Sequence, residues 1–234
     1  MKKSFDAFIF DLDGTLVDTA SIVDRVMKEW CAEHEINFEA VSSSYSSRTV
    51  DTVREVAPHL DSSYEAQRIE RMERESLINL KEIPGAFRVI KKIKDKPWAV
   101  ATSSETETAK RKMEAAGLPI PDVLIGADQL NEGKPDPEAY LKASKTLGCL
   151  AKDCLAFEDS DMGMRSALSA GCSVVLVGAS CGISDPRILF RIRDLEDIDV
   201  RENSDRKLEI KLAEQSACHS AGTLYENGSD RKSS

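Results

Sequence analysis

The sequence is poor in the residues that build zinc sites and imidazole-based catalysis. It has only three histidines, His34, His59 and His219, and their wide separation gives little support to a His-ligated zinc site or a Ser-His triad. Its six cysteines, Cys31, Cys149, Cys154, Cys172, Cys181 and Cys218, form no C-x-x-C pair and no Cys/His ligand spacing. They read as small core residues and spare thiols of a reducing compartment. No apolar run approaches the roughly 18 residues of a membrane span, and an acid follows Met1-Lys2-Lys3 too early for a signal peptide. Positive charge is also short. Asp and Glu number 41 against 32 Lys and Arg, for a net charge of -9, which argues against nucleic acid or an anionic membrane as partner. The expectation is a soluble, cytoplasmic protein that acts on a small molecule. An anionic substrate remains open if a metal and a few local cations offset the repulsion.

What the sequence does hold is a patterned core. Its 234 residues, 41% of them hydrophobic, suffice for one large domain or a core domain with a smaller insert. The organising stretch is Phe8-Ile9-Phe10-Asp11-Leu12-Asp13-Gly14-Thr15. A short apolar run reads as a buried parallel strand, and two carboxylates arrive two residues apart where it ends. Ligand chemistry in open α/β sheets sits outside the carboxyl ends of the strands, and carboxylates there suit a hard cation such as Mg2+. Asp-x-Asp-Gly is also an ordinary turn sequence. It resembles the start of an EF-hand loop as well, but a strand rather than a helix precedes it here.

Beyond this stretch, residues 21–35 place Ile22, Val23, Val26, Met27 and Trp30 on one helical face. A Ser-rich segment, 42–47, leads to a helix carrying Val50, Val53 and Val56, and residues 64–82 read as one charged helix. The span 19–82 is therefore expected to be an all-helical insert. From Pro84-Gly85 onward, strands at 98–101, 123–126, 154–157 and 174–177 alternate with helices over about 85–95 and 106–116, one reaching about Leu147, and one through Met164 and Leu168 that stops at Gly171. That alternation predicts an α/β fold with a Rossmann-like parallel sheet and right-handed crossovers. The core is expected at 1–18 and 83–200, and the polar residues 203–234 are expected to be a flexible tail.

Three later regions of this alternation repeat the lesson of the first strand end. Thr102 and Ser103 present hydroxyls, Lys134 sits in Gly133-Lys134-Pro135-Asp136-Pro137, and Glu158-Asp159 present paired acids. Each has an ordinary alternative as a helix cap, a surface turn or a complement to a helix dipole. Together, on one edge of a parallel sheet, they can converge on phosphoryl transfer through an aspartate. Asp11 would attack as nucleophile, and Asp13 would protonate the leaving oxygen and then deprotonate water. Thr102 and Ser103 would hold a phosphoryl oxygen, Lys134 would offset charge, and Asp159 with Glu158 would complete the oxygen shell of Mg2+.

These four motifs, in this order, resemble the haloacid dehalogenase superfamily of phosphotransferases, over about residues 5–180. The segments Phe157–Gly163 and Gly133–Pro137 look like its β-phosphoglucomutase and sugar-phosphatase branch. The resemblance implies a Rossmann-like core, a helical cap inserted after the first strand, and dependence on Mg2+. It implies that Asp11 is both nucleophile and metal ligand, and that Asp13 also lends its backbone carbonyl to the metal. The second aspartate, Asp13, argues against the dehalogenase branch, which lacks it. β-Phosphoglucomutases carry a cap histidine after the first motif, whereas Thr19–Asp24 contains none. That favours a phosphatase acting on a sugar phosphate or another small phosphorylated metabolite. A phosphosugar mutase and a non-catalytic phospho-ligand-binding protein stand as alternatives. In the cap, Arg48 either clasps a substrate anion or merely caps or solvates a helix.

Overall fold

A computed structural model describes residues 3–42, 47–178 and 182–213. Its centre is six parallel strands: β2 (Ala7–Phe10), β3 (Trp98–Ala101), β4 (Val123–Ile125), β5 (Cys154–Glu158), β6 (Ser173–Val177) and β7 (Ile188–Ile192). They lie in the order β4-β3-β2-β5-β6-β7. The sequences AFIF, WAVA, CLAFE and SVVLV of β2, β3, β5 and β6 are buried throughout, as strands covered by helices on both faces must be.

Alternation along the strands separates two unlike faces. One face carries Phe8, Phe10, Trp98, Val100 and Phe157, and the Phe10 and Phe157 rings stack at 4.5 Å. Helices α5 (Ala86–Ile93) and α6 (Thr106–Ala115) pack there through Val89, Ile90, Ile93 and Met113. The other face is lined by Ala7, Ala99, Ala101 and Ala156, small enough for α7 (Glu138–Thr146) and α8 (Asp161–Ala170) to approach closely. Both cores are therefore set by one period-two pattern of large and small residues.

Between β2 and β3 the chain inserts four helices, α1 (Ala20–Glu33), α2 (Phe38–Ser42), α3 (Thr49–Val56) and α4 (Ser62–Glu75). Trp30, Val53 and Ile69 are fully buried among them, and the Trp30 indole donates to Glu65 Oε2 at 2.8 Å. The two connectors to the insert run side by side. Asp18 N donates to Lys81 O at 2.9 Å, Ile83 N donates to Leu16 O at 2.8 Å, and Val17 pairs antiparallel with Glu82. The fourth helix is shorter than the sequence suggests. It ends at Glu75, and Asn79 takes a left-handed φ of 61° in the loop that follows.

The expected tail begins too early. Residues 203–213 return to the body as β9 (Leu208–Leu212), antiparallel to β8 (Ile198–Glu202) on one side and β1 (Ser4–Phe5) on the other. Alternation of apolar and charged residues in Leu208-Glu209-Ile210-Lys211-Leu212 is a half-buried strand pattern, which the overall polarity of the segment hides. Residues 214–234, Cys181 and Cys218 fall outside the described residues. Cys31, Cys149, Cys154 and Cys172 are free thiols.

Because Leu208 is buried against this small sheet, Leu208→Ala should destabilise the chain by about 2–5 kcal/mol. Chemical denaturation checks this; an unchanged midpoint would mean that the hairpin is not part of the folded unit.

Candidate active site

In this sheet the chain first steps from β2 to β3 and β4 on one side, then crosses back to β5 on the other. The crevice above β2 and β5 is thus a topological switch point, where α/β sheets bind ligands. Asp11 and Asp13 leave the end of β2, Thr102-Ser103-Ser104 leave β3, and Glu158-Asp159 close β5. Lys134 arrives from the loop between β4 and α7. Asp11, Asp13, Ser103, Lys134 and Asp159 line one cavity of about 190 Å³.

Lys134 is the buried hub of this arrangement. Its Nζ lies 2.6 Å from Asp11 Oδ1 and 2.6 Å from Glu158 Oε1. Burial alone would lower its pKa, but Asp11 and Glu158 outweigh that and hold it above the ordinary lysine value. The Tyr140 hydroxyl also donates to Glu158 Oε1. A single ammonium does not balance the acids around it. Burial, with Glu158, Asp159 and Asp13 nearby, raises the Asp11 carboxyl well above its usual range despite Lys134. Burial and then Glu158 raise Asp159 to about 7.

Asp11, Glu158 and Asp159 each offer a carboxylate oxygen, and these oxygens lie within 4.8 Å of one another. An all-oxygen, acidic donor set with uncompensated charge fits a hard divalent cation. Two glycines make room for the set. A Cβ on Gly14, whose φ is +80°, would stand 2.1 Å from Asp159 Oδ2, and one on Gly163 would stand 2.0 Å from Glu158 Oε2.

Asp13 has different surroundings. Burial pushes its carboxyl up, but the Lys112 ammonium and hydrogen bonds from Lys112, Thr19 and Ser104 leave it below the ordinary value. Lys112 Nζ lies 2.8 Å from Asp13 Oδ1, and Ser104 Oγ donates to Asp13 Oδ2 at 3.0 Å. Thr102 Oγ1 faces the same Oδ2 at 3.5 Å and accepts from Ser104 N at 3.1 Å. Of the two hydroxyls expected at the end of β3, Ser103 therefore reaches the cavity wall while Thr102 sits behind it.

Arg48 is not brought to the cavity. Its guanidinium donates to Asp51 Oδ2 at 2.6 Å and to the carbonyls of Leu130 and Asn131 at 3.0 and 2.8 Å. It ties α3 to the loop after β4 instead of waiting for an anion.

Lys112, Ser104 and Glu73 were not among the residues singled out in the sequence. The signal was there in part: Thr108, Ala109, Lys112 and Met113 form the buried stripe of α6, so Lys112 is a charge on an apolar face. Glu70 and Glu73 likewise sit beside Ala66 and Ile69 on the buried stripe of α4. Charges at such positions require partners, but nothing in the sequence says which.

A sequence profile of the family described as haloacid dehalogenase-like hydrolase matches residues 8–177. The chain is 33% identical to hexitol phosphatase A of Escherichia coli over 178 residues, covering 74% of this chain and 82% of that protein. It is 29% identical to glycerol-1-phosphate phosphohydrolase 1 of Saccharomyces cerevisiae, covering 75% of each chain. In fold it is similar to CbbY from Rhodobacter sphaeroides, solved in complex with phosphate, with a TM-score of 0.71 at 21% identity over 80% of this chain and 93% of that one.

A fitting divalent cation should stabilise the folded chain, because only the folded state gathers the three carboxylates. At a hundredfold excess of Mg2+ over its Kd the melting temperature should rise by about 5 °C or more, and EDTA should reverse the shift. Gly14→Ala should fold but lose the response, since its Cβ displaces Asp159. A full response in that variant would remove Asp159 from the metal set.

Proposed function

The chain belongs to the haloacid dehalogenase-like hydrolases, and we propose that it is a Mg2+-dependent phosphatase of a small sugar or polyol phosphate. The observation that carries this reading is the pairing at the end of the central strand. Asp11 and Asp13 line one cavity yet have opposed electrostatic settings, one pressed by neighbouring acids and the other held by an ammonium. They suit two different jobs by their place: Asp11 stands among the acids that would hold a cation beside the phosphoryl group, and Asp13 stands apart from them, held by Lys112 and Ser104.

In this reading an Asp11 carboxylate oxygen attacks phosphorus, the bond from phosphorus to the alcohol oxygen breaks, and Asp13 gives that oxygen a proton. Water then attacks phosphorus in the Asp11 phosphate while the Asp13 carboxylate takes the water's proton. Inorganic phosphate leaves and Asp11 is restored. Lys134 holds Asp11 in place and offsets the charge of nucleophile and phosphoryl group, and Ser103, with Thr102 behind it, holds phosphoryl oxygens. A bound Mg2+, held by the side chains of Asp11, Glu158 and Asp159 and by the backbone carbonyl of Asp13, supplies further positive charge to the phosphoryl group.

The helices at 19–82 serve as a cap that bounds the substrate. Thr19, Ala20, Val23, Ser47 and Glu73 face the cavity from that side, a mixed wall in which Thr19 and Ser47 offer partners to hydroxyls. A cavity of about 190 Å³ suits a small phosphorylated metabolite and not a folded phosphoprotein. The names of the relatives, a hexitol phosphatase and a glycerol-1-phosphate phosphohydrolase, support the same class. The absence of histidine from Thr19–Asp24, and from the cavity wall among the described residues, favours release of phosphate over its return to a second hydroxyl.

The test is phosphate release with Mg2+ from sorbitol 6-phosphate, glycerol 1-phosphate, fructose 1-phosphate and β-glucose 1-phosphate, with glucose 6-phosphate formation followed separately. Asp11→Asn should keep the fold and lower turnover by at least about 10³-fold. Unchanged turnover would sink the aspartate mechanism, and isomerisation without release would establish the mutase. Binding without turnover of any compound would favour the non-catalytic alternative.

A further inference from the structure

Lys112 is 1% exposed and lies on the apolar stripe of α6, among Thr108, Ala109 and Met113. A lysine withdrawn from water in this way is strongly destabilising unless its ammonium is fully paired. It has three donors, and three oxygens surround it: Asp13 Oδ1 at 2.8 Å, Ser104 Oγ at 2.9 Å and Glu73 Oε2 at 2.7 Å. Two of these oxygens belong to strand ends of the sheet. The third belongs to α4, inside the helical insert. Beside it, Arg74 of α4 donates to Thr108 Oγ1 at 2.7 Å, so two successive residues of α4 dock on two positions of α6 one turn apart.

Lys112 donates to Asp13 and Ser104 and forms an ion pair with Glu73, and it acts through what it holds. We propose that Lys112 is a positioning residue that fixes the Asp13 carboxylate and makes its orientation depend on the seating of α4. Lys112 holds Oδ1 and Ser104 holds Oδ2, and together they set the plane in which the Asp13 carboxyl presents its proton to the departing alcohol. The ion pair to Glu73 transmits the placement of α4 to that same nitrogen. When α4 lifts away, the ammonium loses one of its three partners and its position between Asp13 and Ser104 is no longer fixed. This inference rests on the phosphatase reading of Asp13 as acid and base.

Leaving-group chemistry tests it. An alkyl alcohol needs the proton from Asp13, whereas p-nitrophenolate leaves without one, and kcat/KM reports on formation of the aspartyl phosphate in both cases. Lys112→Met should lower kcat/KM for glycerol 1-phosphate by at least about 10-fold more than for p-nitrophenyl phosphate. Glu73→Gln should move the same ratio in the same direction by about threefold, the lower end of what one polar contact is worth. In the metal-free protein, amide hydrogen exchange of residues 62–75 should quicken in both variants. If Lys112→Met does not fold, Glu73→Gln carries both measurements. An equal loss on the two substrates, or unchanged exchange of α4 in Glu73→Gln, would overturn the proposal and leave Lys112 as a structural ion pair. Asp11→Asn is the control for the reading beneath it. If that variant still turns over glycerol 1-phosphate the phosphatase mechanism fails, whereas the exchange of α4 still decides whether Lys112 and Glu73 are linked.

Discussion

Three buried or nearly buried carboxylates share one ammonium, and much of the site follows from that imbalance. Asp11 and Glu158 converge on Lys134, and Asp159 stands next to them with its own affinity for protons raised. A buried charge without a partner is strongly destabilising, so the arrangement persists only because the scaffold holds it. β2 and β5 are adjacent and parallel in the middle of the sheet, their registers locked from Ala7↔Cys154 to Phe10↔Phe157, and the stacked Phe10 and Phe157 rings lie one residue before the acids on each strand. The sheet thus delivers Asp11 and Glu158 side by side, and the molecule is left with a local deficit of positive charge. An acidic set of this kind fits a hard divalent cation, whose charge would offset the deficit.

The two aspartates of the first motif divide along the same line. Asp11 turns to the acidic side of the crevice and Asp13 to a wall made by Lys112, Ser104 and Thr102. Their spacing of two residues along the chain translates into two electrostatic compartments because Leu12, between them, is fully buried. It anchors the turn, its carbonyl accepting from the backbone N–H groups of Leu16 and Val17. Gly14 completes the turn at φ +80° and lets Asp159 lie directly against the backbone. A short motif therefore sets the places of both aspartates and the close approach of Asp159 at once, which is why its four letters carry so much information.

What could be read in the sequence was local or periodic. The strands at the middle of the sheet announced themselves as short apolar runs, and the residues at their ends became functional candidates because a parallel sheet gathers such ends at one edge. Gly171, whose φ is 101°, stops α8 where a helix-terminating glycine was expected. The misses share a cause in long-range pairing. β9 looks like a polar tail until β8 and β1 supply its partners, and the alternating Leu208-Glu209-Ile210-Lys211 pattern then fits. Lys112 looks like one basic residue among several in Lys110-Arg111-Lys112 until Asp13, 99 positions away, is placed beside it. Arg48 is the opposite case, its ordinary alternative being the one seen. Its chemistry suited an anion, but Asp51 lies three residues away on the next helical turn and satisfies it first.

The paired connectors at Val17-Asp18 and Lys81–Ile83 have a further consequence for how such a chain can vary. The insert begins and ends at neighbouring points that are hydrogen-bonded to each other, so the sheet meets it as a closed loop of fixed mouth. Lengthening, shortening or redrawing the helices between those points changes the loop without changing the distance its ends must span. Loop-closure entropy grows only slowly with length, so such changes weigh little on the rest of the fold. The helices of the insert can in this sense be redrawn at little cost to the sheet as long as α4 keeps its hold on α6, and one clamp of a few backbone hydrogen bonds is what allows it.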